Sequence, residues 1–424
     1  MRTAGLLVLA ALLVAPLGVA AHERQPAGRQ SEASIDERAA AIATEVSGQD
    51  IYDTILSLTT DPSRAYRFVG TPTHDNARAW IESELSGIGL APVAFDHACE
   101  VGSVVVFPAP AVRLPQPMTV PARSVLALVE GRSATDWIVI GAHYDTQQTS
   151  TGALDNGSGI AAALELARAF ARHREALEAS ILFAFWDCEE WGVFGSKEFM
   201  ARFPDVEALL GLPQGTVRLV AATSLDMIGI HWPAENRSPT ARAGVPPMYV
   251  RTSPIDQFTY RSRFADYNES NYTAAQLQGF RDFRVLVKRA TYDVLGFPVQ
   301  HVWVQDDEQG RSDHAPFIAA GVPGFKVGGA VDLAYPPYHN PFDTLPAAEQ
   351  LAGGKDKLVA AFEAAARLTA TIMANVALQG AVQAPDEGVV PSHAQPEAGR
   401  ETPLPAAVAA LAVSLGACAR RARR

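Results

Sequence analysis

Cysteine is scarce in this chain: Cys99, Cys188 and Cys418 are the only three among 424 residues. Three cysteines cannot make the multiple-disulfide framework of a small stapled domain, and nothing around them marks a thiol nucleophile. Cys99 and Cys188 admit two readings, a bridge formed in an oxidising compartment or two buried thiols. Spacing alone leaves both open, because a bridge depends on how closely the two Cα atoms approach. Positive charge is in deficit as well. With 35 Lys and Arg against 46 Asp and Glu, the formal net charge is −11, which favours solubility and excludes a nucleic-acid partner, since phosphate binding needs a basic patch. The apolar runs at residues 6–20 and 404–418 both fall short of the roughly 20 residues that span a bilayer.

What is present divides the chain. The first run follows Arg2 and ends in Ala20 and Ala21. This reads as a secretory signal over residues 1–21, cleaved after either alanine. The mature protein is therefore expected outside the cytoplasm, as a periplasmic, cell-surface or secreted species. Residues 22–34 are polar and bear Pro and Gly, a mobile leader. Residues 379–403 are rich in Ala, Pro, Glu and Gly without periodicity, a linker. Residues 404–424 pair an apolar run with the terminal cluster RRARR, an expected sorting or anchoring tail and a route to membrane association, with the arginines on the cytoplasmic side. A disordered or interfacial tail is the competing reading. Between leader and linker, 48% hydrophobic and 19% charged residues overall indicate a globular chain, either one large α/β domain with insertions or two domains.

The informative stretch is IVIGAHYDTQQTSTGALDNGSGIAAALELARAF followed, after a basic connector, by SILFAFWDCEE. Apolar runs rich in β-branched and aromatic residues at 137–141 and 180–186 predict buried strands, and the Ala/Leu-rich segment between them predicts a helix. That βαβ unit brings His143, Asp145, Asp155, Glu189 and Glu190 to the carboxyl ends of the strands, where open α/β sheets place ligands. One such residue alone would be a solvated loop side chain. Imidazoles and carboxylates from several strand ends together form the donor set of a zinc site.

Downstream, SLDMIG supplies Asp226, GRSDHAPF supplies Asp313 and His314, and PPYHNPFDT supplies Tyr338 and His339. Taken in order, H-x-D, D-N-G, E-E, S-D-H and Y-H-x-x-x-D resemble the M28 family of zinc peptidases over residues 39–374. The resemblance implies an α/β fold with a mixed, mostly parallel central sheet flanked by helices, the zinc-exopeptidase or phosphorylase/hydrolase-like architecture, over residues 35–378. Further strands are expected at 92–97, 103–107, 124–129, 217–225, 299–304 and 324–328. Helices are expected from residue 35, up to Gly87 or Gly89, shortly after Glu190, and at 277–295, 315–320 and 350–375. Residues 231–272 read as a loop-rich insertion.

The resemblance also implies two Zn2+ per chain. Asp155 would bridge them, His143 and Asp226 would complete one site and Glu190 and His339 the other, and the Asp155–Asn156 peptide would be cis. Asp145, two residues after His143 on one strand face, can accept a hydrogen bond from the imidazole and fix its tautomer. Neighbours on an extended backbone point opposite ways. Glu189 is therefore free to act as general base for a metal-bridged water while Glu190 binds metal. Tyr338 would steady the oxyanion, whereas Asp313 and His314 are given a structural part.

The implied activity is hydrolysis of the N-terminal peptide bond of peptide substrates. With no basic residue among the core motifs, a substrate ammonium is the better guest than a carboxylate. A carboxypeptidase is the alternative, since F-W-D-x-E-E also occurs in the family's glutamate-carboxypeptidase branch. An arginine cluster drawn from Arg251, Arg261, Arg263, Arg281 and Arg284 would mark it. A glutaminyl-cyclase-like or non-catalytic binding relative would be expected to lack part of the dinuclear set, and all five ligand positions are filled. Oligomeric state and side-chain preference are not encoded in these motifs.

Overall fold

The computed structural model describes residues 35–102, 118–229, 248–252, 271–295, 302–306, 312–328 and 335–382. The expected signal, leader and tail, the linker from residue 383 onward, and the strand expected at 103–107 lie outside these residues. No helix among the described residues is long and apolar enough to cross a membrane.

Three helices open the described chain: α1 (Glu37–Thr44), α2 (Gly48–Thr60) and α3 (Pro72–Ile88). Each starts where a side chain caps it. Asp36, Ser47 and Thr71 accept backbone N–H groups of the first turns of α1, α2 and α3 respectively, which satisfies donors that have no partner within the helix. Helix α3 stops at Gly89, whose φ of 89° reaches the left-handed region a C-terminal cap uses. Strands β1 (Val93–Val101) and β2 (Met118–Val129) form an antiparallel pair, and β3 (Ser133–His143), α4 (Gly157–Arg172) and β4 (Ala179–Trp186) make the expected βαβ unit. Then come α5 (Phe194–Ala201), α6 (Phe203–Leu209), β5 (Arg218–Leu225), β6 (Met248–Thr252), α7 (Ala274–Leu295) and β7 (Val302–Asp306). The described chain closes with α8 (Ala315–Ala319), β8 (Gly324–Gly328), α9 (Leu345–Ala352) and α10 (Lys355–Gln379).

These strands form one eight-stranded mixed sheet in the order β1-β2-β4-β3-β5-β8-β6-β7. Its centre, β4-β3-β5-β8, is parallel. Side chains alternate across the sheet with the two-residue strand period. Ile138 and Ile140 of β3 and Ile181, Phe183 and Phe185 of β4 face a core shared with α1, α2, α4, α7 and α10. Trp137, Val139, Leu182 and Trp186 face the opposite core with Phe199 and Phe317. Both faces are covered, so the central strands read as continuous apolar runs.

Two element-level expectations are corrected. The 231–272 stretch, expected to be irregular, contains β6, which pairs parallel with β7 and antiparallel with β8. The five residues MYVRT are apolar and β-branched in part, and a run so short gains strand form only from its neighbours. The single helix expected over 350–375 is two. Gly353 and Gly354 take φ of 79° and 127° between α9 and α10, a backbone that side chains other than glycine rarely adopt.

Candidate metal centre

Every proposed ligand sits where an element ends. His143 is the last residue of β3, Asp226 follows β5 directly, Asp155 precedes α4, Glu189 and Glu190 follow β4, and His339 lies in the loop before α9. This is the carboxyl edge of the parallel strands. Two groups form there, His143–Asp155–Asp226 and Asp155–Glu190–His339, and in each the donor atoms lie within 4.8 Å of one another.

Asp155 belongs to both and divides its oxygens between them. Its Oδ1 is 3.3 Å from His143 Nε2, and its Oδ2 is 3.1 Å from His339 Nε2. His143 Nε2 is 3.8 Å from Asp226 Oδ1, and His339 Nε2 is 3.0 Å from Glu190 Oε2. A tetrahedral ion with ligands about 2.0–2.2 Å away sets its ligand atoms roughly 3.3–3.6 Å apart, so the donor chemistry and the spacing both fit such an ion. The electrostatics fit as well. His339 is pushed up to about 11, because the carboxylates of Glu190 and Asp155 outweigh the opposing effect of burial. His143 is likewise raised against its burial by Glu189, Asp145, Asp155 and Asp226. A cluster that draws protons onto both imidazoles is one that calls for positive charge.

The scaffold around the ligands is specific. Asn156 caps α4 through its side-chain oxygen, which accepts from Gly159 and Met227, while its amide donates to Leu225 O. It thereby ties the Asp155 junction to the Asp226 turn. A Cβ at Gly159 would run into Leu225 O, so only glycine lets α4 approach β5 this closely. The Asp155–Asn156 peptide is cis. Asp343, the last residue of Y-H-x-x-x-D, accepts the N–H groups of Leu154 and Asp155 and the hydroxyl of Tyr335. Burial and the charge of Asp155 push its carboxyl up to about 6. Cys188 at φ 65° and Met227 at 56°, beside proposed ligands, and His339 at 58°, itself one, are non-glycine residues in the left-handed region, a conformation that concentrates at functional sites.

Glu189 and Glu190 lie in a turn, so strand alternation does not set the directions of their side chains. The backbone there is no longer a strand. Cys188 turns it, and the Asp145 carboxylate accepts the N–H of Glu189 at 3.0 Å and of Glu190 at 3.2 Å. Glu189 Oε2 then lies 4.0 Å from His143 Nε2, while Glu190 joins the other group. His143 Nδ1 is 3.2 Å from the Asp145 carbonyl oxygen and 3.5 Å from its carboxylate, so the carbonyl and the carboxylate of that residue both face the imidazole. The carboxylate's close partners are the two glutamate amides. Burial, reinforced by Asp226, Asp313 and Glu190 against His143, raises Glu189 well above the ordinary carboxyl range. Tyr338 is half-buried and stacks on His339, with ring centroids 3.5 Å apart. Asp313 accepts from Ser196 at 2.6 Å and is pushed up to about 7 by burial. His314 is buried at the start of α8.

The structure also places residues that the motifs did not flag. Arg67, wholly buried, donates to the carbonyls of Ala65, Tyr144, Thr151 and Gly152. Gln147 donates to Glu190 Oε2 at 3.0 Å. Lys326 Nζ lies 2.6 Å from Asp226 Oδ2, a basic residue from outside the core motifs that the fold brings to one of them. A lysine within the otherwise apolar strand GFKVG was the available signal, because buried lysines are paired. Of the arginines considered for a substrate carboxylate, Arg281 and Arg284 lie in α7 and Arg251 in β6. Arg261 and Arg263 fall outside the described residues. Cys99 and Cys188 are bridged, with Cα atoms 6.2 Å apart.

The fold and these groups define an α/β protein with a pair of candidate metal-ligand groups at its strand ends. The sequence pattern of Peptidase family M28 matches residues 124–360, more than half of the chain, and the chain belongs to that family. It is 37% identical over 91 residues to the probable lipoprotein aminopeptidase LpqL of Mycobacterium tuberculosis, a stretch covering 22% of this chain and 18% of that protein. It is 29% identical over 192 residues to leupeptin-inactivating enzyme 1 of Streptomyces exfoliatus, covering 45% and 32%. The chain thus spans about a third or less of the length of these two relatives. The fold is shared with the LapA aminopeptidase of Legionella pneumophila at a TM-score of 0.54 and 18% identity, covering 82% of this chain and 76% of that one.

Proposed function

We propose that this chain is an exported dinuclear zinc aminopeptidase. The observation that carries the reading is the division of Asp155, one oxygen toward each imidazole. A carboxylate so placed could serve both ligand groups. His143, Asp155 and Asp226 would hold one zinc, and Asp155, Glu190 and His339 the other, each with three protein ligands and an open position. When bound, the two zinc ions supply Lewis-acid activation of a water and of the scissile carbonyl. The names of the relatives, aminopeptidases among them, support the same reading. The signal-like residues 1–21 support export.

The chain's own residues would do the rest. Glu189 takes the proton of the attacking water and returns it to the leaving amine. Its carboxylate, 4.0 Å from His143 Nε2 and outside both ligand groups, is placed for that transfer. Asp145 holds Glu189 and Glu190 by their backbone, and Gln147 fixes the Glu190 carboxylate. Tyr338 stands beside His339 to donate to the developing oxyanion. The substrate's free amine is received by carboxylate oxygens such as those of Glu189, since Lys326 is engaged by Asp226 and Arg67 by backbone carbonyls. Matched peptides with free and acetylated N-termini test this. Acetylation is expected to lower kcat/KM by about tenfold or more, the equivalent of one hydrogen bond to a charged group. Equal cleavage of the blocked peptide, or a requirement for a free C-terminal carboxylate, would replace the reading by a carboxypeptidase.

A further inference from the structure

The two ligand groups are not equivalent, and the difference is a cation supplied by the chain. In the His143–Asp155–Asp226 group, Asp226 Oδ2 receives both Lys326 Nζ at 2.6 Å and the Ser312 hydroxyl at 2.7 Å. Lys326 has little freedom to leave. It sits on β8 in register with Ser224 of β5, between the buried Phe325 and Val327, and its side chain is 12% exposed. Ser312 is fixed in turn by Ser224 at 2.9 Å. Only Asp226 Oδ1 faces His143. In the other group the corresponding carboxylate, Glu190, meets the neutral amide of Gln147 on Oε2, while its buried Oε1 has no hydrogen-bond partner among the described residues.

We propose that Lys326 is a built-in competing cation that restrains Asp226 to one oxygen and weakens the binding of the ion held by His143, Asp155 and Asp226. The inference rests on the reading of these groups as zinc sites. A fixed ammonium beside a carboxylate cancels much of its attraction for a divalent ion, and the effect is large where burial reduces screening. An ion in the Asp155–Glu190–His339 group would also meet two carboxylates, but among the described residues no ammonium lies against Glu190, and the Arg67 guanidinium, whose charge is felt at Glu190, spends its hydrogen bonds on backbone carbonyls. Lys326 therefore sets the affinity of one site of the pair and leaves the other to its ligands.

The test is zinc binding, not turnover. The metal-free full-length protein is titrated with zinc in competition with a chromophoric chelator, and His143→Ala and His339→Ala assign the two steps to their groups. Lys326→Met, neutral and of similar length, is expected to tighten the step lost in His143→Ala by about tenfold or more. The other step should change by less than about threefold. Lys326→Arg, which keeps the charge, should remain close to wild type. Lys326→Gln removes the charge while keeping a donor near Oδ2, and repeats the measurement should methionine disturb the packing. Unchanged affinities in both neutral variants, or weakened binding at the His143 step, would overturn the proposal and leave Lys326 a positioning residue for Asp226. A wild-type protein that takes up no zinc would instead overturn the underlying reading of the site.

Discussion

Glu189 and Glu190 are chemically identical neighbours, and only their surroundings could give them the different tasks proposed above. Asp145 gathers both amides, the turn at Cys188 aims one side chain at the His143 group and the other at the His339 group, and burial raises Glu189. Substitution should separate them. Glu189→Gln is expected to keep two zinc ions per chain and lose roughly 100- to 10,000-fold in turnover, the range of a general acid–base residue. Glu190→Gln should lose zinc from one site. Elemental analysis beside steady-state kinetics checks both, and equal zinc contents in the two variants would contradict the division. The residues of the two candidate ligand groups were legible in the sequence because donor chemistry and strand-end position are local properties. Lys326, Arg67 and the partners of Asp145 were not, because each acts through a residue distant in the chain whose approach only the tertiary fold decides. The glutamates illustrate the limit well: the expected division rested on alternation along an extended chain, yet the backbone there has left the strand.

At the scale of elements, the sheet's active edge is strapped to α3. His74, in the first turn of that helix, is 2.8 Å from Asp187 just beyond β4, and Asp187 also accepts from the backbone N–H of Arg123 and the hydroxyl of Tyr144. The His74 ring stacks on Tyr144, with centroids 4.8 Å apart. Burial disfavours the charged imidazole, but the hydrogen bond to Asp187 and its charge prevail, so the folded-state pKa of His74 is raised. A raised pKa means that the folded state binds the proton more tightly. Its contribution is complete below the unfolded value of about 6.5 and fades as pH climbs through the folded value. His74→Gln is therefore expected to cost about 3–5 kcal/mol in denaturant unfolding at pH 6, the cost of breaking a buried pair, and distinctly less at pH 9. A cost that does not change with pH would mean that the pair is held neutral. The strap itself was invisible in the sequence, as were β6 and the break between α9 and α10. A five-residue strand owes its form to its neighbours, and adjacent glycines end a helix only where the following segment must turn. The central βαβ unit was legible because its strands are covered on both faces and so spell unbroken apolar runs.

For the molecule as a whole, the question is whether the ligand cluster holds the fold together or is held by it. The carboxylates of Asp145, Asp155, Glu190 and Asp226 lie together at one sheet edge, and without cations they would repel. The chain answers part of that charge itself, through Lys326 on Asp226 and through Arg67, whose charge is felt at Asp343, Asp145, Asp155 and Glu190. The Cys99–Cys188 bridge ties β1 to the segment that carries Glu189 and Glu190. Two cores, one on each face of an eight-stranded sheet, are built without any of these ligands. A fold stabilised in this way differs from a small zinc module, which unfolds when the metal leaves. Chelation of the zinc-loaded protein is accordingly expected to abolish peptide hydrolysis while the far-ultraviolet circular dichroism stays native. Free zinc held at about 1,000 times its dissociation constant contributes about 4 kcal/mol per site by mass action. Its removal should therefore lower Tm by roughly 5–15 °C and leave the transition cooperative. Loss of the cooperative melt on chelation would show that the ions carry the fold, and would place the origin of this domain's stability at its strand ends instead of in its two cores.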